Sequence, residues 1–130
     1  MVLMQESGHA DAGVAAVVTL GDRTTVERMA TECEALACAG ASVRVLFRDE
    51  GIPAICLAEV RIRINPRAAN VESVLASLAA AGDVRLYACS SSLYVWGVAG
   101  EDLLPAVAGV RGLIAFLADD LAGASKVLSY

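Results

Sequence analysis

The chain has 130 residues, enough for one domain whose core needs neither disulfides nor a metal. Apolar residues make up 57%, much of it alanine, yet no run approaches the roughly 18 apolar residues of a membrane-spanning helix. Ten basic residues against fifteen acidic ones give a net charge of −5, which argues against binding nucleic acid through its phosphates.

Residues 1–12 are small and polar and read as a flexible tail, with the domain at 13–130. Met1 to His9 include neither a charged leader nor a long apolar stretch, so the expected location is the cytoplasm. Ala15 to Leu20 is a short continuous apolar run, the pattern of a parallel strand covered on both faces. Thr24-Thr25-Val26-Glu27 then matches a capping box. Behind it Val26, Met29, Ala30, Cys33, Leu36 and Ala37 recur at helical spacing until Gly40. Cys33 falls on this apolar stripe and Cys38 near its edge, and both read as small hydrophobes.

Ser42 to Arg48 is expected to be a second strand, its arginines suggesting a sheet edge or a wet face. A helical start is expected at Ile52 to Glu59, with Pro53 in the first turn. Val60-Arg61-Ile62-Arg63-Ile64 alternates strictly, as a strand does. Asn70 to Leu78 places Val71, Val74, Leu75 and Leu78 on one helical face. Val84 to Gly97 is the next unit, an apolar strand that stops on Cys89 followed by three serines and a short amphipathic run expected to begin a helix. Glu101 to Leu104 reads as a single turn and Gly109-Val110-Arg111-Gly112 as a turn leading into a last helix through Leu113, Phe116, Leu117 and Leu121. Ser125 to Tyr130 closes the chain as a strand. Strands alternating with helices imply an α/β fold with a mainly parallel sheet of about five strands.

Several chemistries are excluded. The lone histidine lies in the tail, which removes Ser-His-Asp and Cys-His pairs. The four cysteines are spaced 5, 18 and 33 residues apart, without a Cys-x-x-Cys, so neither a zinc site nor another metal is expected. Without a signal peptide they read as free thiols. The glycine pairs fit neither a phosphate loop nor a dinucleotide fingerprint, and no cofactor is expected.

Thiol chemistry remains. Cys89 stands where a strand ends and a helix begins, the place where α/β sheets gather ligands. Unpaired N–H groups there favour a thiolate. A thiolate exchanges sulfur with another thiol without a general base. Cys89 is therefore either a reactive thiol or a buried strand-end cysteine. Five of the nine arginines (Arg44, Arg48, Arg61, Arg63 and Arg67) fall within residues 44–67. They form either an anion site or acidic-partner face, or a solvated face with salt bridges.

Ala88-Cys89-Ser90-Ser91-Ser92-Leu93, Trp96-Gly97-Val98, Glu101-Asp102-Leu103-Leu104, Val107, Gly109 and the helix with Phe116-Leu117 resemble the C-terminal half of the DsrE/DsrF-like family. The match is close over residues 84–130 and general for the first strand and helix. The resemblance implies a three-layer α/β/α sandwich related to flavodoxin, assembled as trimers or hexamers, which passes sulfane sulfur to and from a partner bearing its own thiol. It implies Cys89 as the carrier of a persulfide or thiosulfonate, a possible sulfurtransferase role without a cofactor. Ser90, Ser91 and Ser92 are then expected to hold the anionic end, and Tyr94 and Trp96 to wall the pocket, although Trp96 equally suits the core. The alternative is a non-catalytic oligomeric binding or scaffold module of the same fold, with Cys89 inert.

Overall fold

Apolar runs at a spacing of one strand, one helix build this chain into a single parallel sheet. The computed structural model describes residues 13–130, and the tail expected at 1–12 lies outside them. The strands are β1 (Gly13–Leu20), β2 (Ser42–Glu50), β3 (Val84–Cys89), β4 (Val107–Arg111) and β5 (Lys126–Ser129). The helices are α1 (Arg23–Cys38), α2 (Ala58–Ile64), α3 (Glu72–Ala79), α4 (Ser90–Trp96) and α5 (Leu113–Phe116), which runs on into a π-helical segment, Leu117–Leu121. The strand order is β4-β3-β2-β1-β5 and every pairing is parallel. Among the described residues no helix is long and apolar enough to cross a membrane.

The connections β1 to β2 to β3 to β4 each step one strand in the same direction, so their helices gather on one face. The last connection returns past the whole sheet to the far side of β1. Alternation along the strands sorts side chains accordingly. Val14, Ala16, Val18, Val43, Val45 and Phe47 join Met29, Cys33, Leu75 and Leu93 in the large core. Ala15, Leu46 and Cys89 point the other way and pack against Phe116 in a small one.

Four local expectations change. Asp22, not Thr24, caps α1, accepting the Thr25 N–H at 3.1 Å. A carboxylate is a strong cap acceptor, and it starts the helix two residues earlier. β2 is no edge but lies between β1 and β3. Its wet-face aspect holds, because Arg44 is half-buried and ion-paired to Asp83 at 3.0 Å. Residues 60–64 are helix α2, reached through a 3₁₀ turn, Ile52–Ile55, that carries Pro53. β2 and β3 pair directly, so the segment between them inserts no strand in the sheet. Val60 and Arg61 are buried while Ile62 and Arg63 are exposed, an arrangement no alternating strand gives. Gly109 to Arg111, expected as a turn, belongs to edge strand β4.

Cys33 is fully buried as expected, but Cys38 lies exposed at the end of α1.

Candidate functional site

The helices after β3 and β4 leave the sheet on opposite sides. Leu93 of α4 joins the large core and Phe116 of α5 the small one. Such a divergence opens a crevice beyond the strand ends, where open α/β sheets bind ligands. Cys89, the last residue of β3, is in register with Arg111 at the end of β4. A Cβ placed on Gly112 would lie 3.8 Å from the Ser90 hydroxyl, so the two strand-end loops face each other closely.

The Cys89 side chain is enclosed, with no surface exposed. Its Sγ lies 3.3 Å from the Ser91 Oγ. Burial, the largest single influence, pushes the thiol up. The Ser91 hydroxyl, the Ser92 N–H and hydroxyl and the Ser91 N–H together outweigh it, and the thiol ends below its ordinary 9.0. Buried Cys33 and Cys56 instead rise to about 11, chiefly through burial. Donors that favour the thiolate therefore set Cys89 apart from the other buried cysteines.

Across the ends of β2 and β3 is a cleft of about 450 Å³ lined by Arg48, Asp49, Glu50, Ser91, Ser92, Val95 and Trp96; Cys89 is not in its lining and lies behind Ser91, whose hydroxyl its Sγ meets. Arg48 and Cys89 each follow the last registered pair, Phe47 and Ala88, at the carboxyl ends of adjacent strands. The Arg48 Nε is shut off from solvent and hydrogen-bonds nothing among the described residues, with the Asp49 carboxylate 3.6 Å away. Asp49 takes φ +51°, an uncommon conformation for a residue with a side chain. Two side chains of α4 hold it there. The Ser92 hydroxyl accepts the Asp49 N–H at 3.0 Å, and the Trp96 indole N–H donates to the Asp49 carbonyl at 2.8 Å. Gly51 completes the turn, since a Cβ there would press to 2.7 Å from the Val18 carbonyl oxygen.

Cys89, Ser91, Ser92 and Trp96 thus come together, with Ser90 on the crevice side. Trp96 is part wall and part core, because it also packs against the large apolar cluster. Tyr94 is 87% exposed and lies outside the lining of the cleft. The arginine group is dispersed: Arg48 reaches the cleft, Arg44 pairs with Asp83, and Arg61 is buried in α2.

Asp49, Glu50 and Arg111 escaped the sequence reading. The signal for the first two was their place at the carboxyl end of a strand beside β3, which becomes visible only with the strand order. Arg111 bridges Asp119 at 2.9 Å and Asp120 at 3.0 Å and lies over the Tyr87 ring at 5.2 Å. It ties the π-helical segment down over the face that holds Cys89. Among the described residues no group of three or more metal-ligating side chains occurs.

Fold and site define a three-layer α/β protein with a thiolate-favouring cysteine at the divergence of two strand-end loops. Residues 14–122 match the model of the DsrE/DsrF-like family, and the chain belongs to that family. Membership suggests a role in sulfur relay. The fold is also that of a solved structure, the protein of unknown function MTH1491 from Methanobacterium thermoautotrophicum. The two align with a TM-score of 0.71 at 20% identity, over 91% of this chain and 99% of that one. No curated protein matches the chain.

Proposed function

We propose that this protein is a sulfur carrier whose Cys89 accepts a sulfane sulfur and passes it to a thiol on a partner. The observation that carries the reading is the contrast among buried cysteines: Cys33 and Cys56 are pushed up, while the donors of Ser91 and Ser92 hold Cys89 below its ordinary value. Thiolate attack on a sulfur atom needs that ionisation and no general base. Ser91 then steadies the anion, and Ser90, beside Gly112 at the β4 end, is available to a bound anion from the other side. Ser92 and Trp96 fix the Asp49 turn, and Tyr94 is left to meet a partner at the surface.

Mass spectrometry after incubation with polysulfide, thiosulfate or tetrathionate tests this. Wild type should gain sulfur at Cys89 and Cys89→Ser should not, whereas an unmodified Cys89 with every donor would overturn the reading.

A second reading, a non-catalytic oligomeric module, is favoured by the full enclosure of Cys89 and by the exposed apolar residues Tyr94, Val95, Val110 and Ile114. It expects native Cys89 to resist thiol reagents. Because Arg61 is buried, charge reversal as a test of its partner face moves to exposed Arg63 and Arg67.

A further inference from the structure

The cleft at the β2 and β3 ends carries charges of both signs. Arg48 supplies a guanidinium whose desolvated Nε hydrogen-bonds nothing among the described residues and lies 3.6 Å from the Asp49 carboxylate, and Asp49 and Glu50 supply two carboxylates. A plain oxyanion would meet Arg48 but also the two negative groups. The cleft is held ready at some cost, since Asp49 keeps a left-handed backbone under the hold of Ser92 and Trp96. Its volume, about 450 Å³, falls in the range of small-molecule sites (~300–1,000 Å³) and does not admit a folded protein.

We infer that the cleft seats a zwitterionic aminothiol persulfide, an α-amino acid whose side chain ends in S–S–H. This rests on the sulfur-carrier reading and names its donor class. The donor carboxylate lies on Arg48, whose planar fork suits it. Its ammonium group lies on the Asp49 and Glu50 carboxylates. Its outer sulfur points past Ser91, which lines the cleft, keeps its hydroxyl 3.3 Å from the enclosed Cys89 Sγ and goes on supporting the thiolate. The Cys89 thiolate attacks the outer sulfur. A new S–S bond forms there as the donor's S–S bond breaks, and the bonding pair leaves on the donor's inner sulfur. The proton of the outer sulfur passes to that leaving thiolate, giving a Cys89 persulfide anion and a free aminothiol, with no outside oxidant or reductant.

Trp96 is the only tryptophan of the chain and lines the cleft, so its fluorescence reports occupancy. Cys89→Ser protein is titrated with S-methylthiocysteine, a stable zwitterionic mimic, and with the uncharged 2-hydroxyethyl methyl disulfide. The zwitterion should bind more tightly, and adding Arg48→Gln should weaken it about tenfold or more while leaving the neutral compound unchanged. Glu50→Gln, at an exposed position, should weaken it less and guards against misfolding at Arg48. Equal binding of both compounds, or a zwitterion affinity indifferent to both substitutions, overturns the inference. Loading of wild type with cysteine persulfide then separates the two levels. Binding without sulfur transfer to Cys89 sinks the carrier reading and leaves the site, whereas transfer with no preference for the amino-acid donor does the reverse.

Discussion

The two faces of the sheet are built to different depths. On one, α1, α3, α4 and the 3₁₀ turn bury Val18, Met29, Phe47, Ile52 and Leu78 in a broad core. On the other, a four-residue helix and a π-helical segment cover only Ala15, Leu46, Cys89 and Phe116. Cys89 lies under the thinner cover, whereas Cys33 and Cys56 lie in the thick core with raised thiols. Stability is concentrated on one face and the ionisable sulfur on the other, as expected where a functional element comes from the less stable part of a fold. Irregular π geometry is likewise often found next to functional groups.

The sharpest way to break this contrast is to remove one large side chain from each core. Phe47→Ala should cost about 3–5 kcal/mol, because a fully enclosed side chain at a central strand leaves a cavity its neighbours cannot fill. Phe116→Ala should fall at the low end of that range, about 3 kcal/mol, since a short covering segment can settle into the gap. Urea unfolding of the two variants gives the comparison. Native alkylation of Cys89 should quicken relative to wild type in Phe116→Ala and keep the wild-type rate in Phe47→Ala, provided both remain folded. Equal quickening in both would mean that the two covers do not differ.

Arg111 gives a gentler way to loosen the thin cover. Its guanidinium joins β4 to Asp119 and Asp120 and donates to the Ala115 carbonyl at 3.3 Å. The arginine and Asp120 side chains are 23% and 17% exposed but Asp119 is 68% exposed, so solvent screens much of the pairing. Arg111→Ala is expected to cost about 1 kcal/mol. It should also speed Cys89 alkylation more than its small effect on the urea midpoint would suggest. High salt should reproduce part of that gain in wild type.

Much of this contrast was hidden in one dimension. Continuous apolar runs disclosed β1 and β3, and period-3.6 patterns disclosed α1 and α3, because both are locally encoded. Val60 to Ile64 misled, since five alternating residues also suit a helix that buries Val60 and the stem of Arg61. β4 was lost because an edge strand with Gly109 at its centre needs few apolar residues. Cys89 was legible from its place between a strand and a helix. Arg48 and Cys89, 41 residues apart in sequence, reach adjacent strand ends only through the β2 and β3 pairing. The strained Asp49 was invisible, because its conformation is imposed by Ser92 and Trp96 rather than by its own sequence.

The mildest test leaves both cores intact and removes one hydroxyl. Ser91→Ala takes away the side-chain donor to the Cys89 Sγ and leaves the backbone N–H groups in place. The pH at which Cys89 alkylation accelerates should lie below 9.0 in wild type and move upward in the variant. The stability consequence has a fixed sign. A folded-state value below the unfolded one stabilises above the unfolded value, and this contribution is lost as pH falls through the folded one. Cys33 and Cys56 act oppositely: their contribution is present below 9.0 and is lost as pH rises toward about 11. Ser91→Ala should therefore leave the alkaline loss due to Cys33 and Cys56 unchanged and remove part of the Cys89 gain, which builds as pH rises toward 9.0 and is complete above it. If the alkylation profile does not move, the Ser91 hydroxyl is not what sustains the Cys89 thiolate, and the burden falls on Ser92 and the backbone.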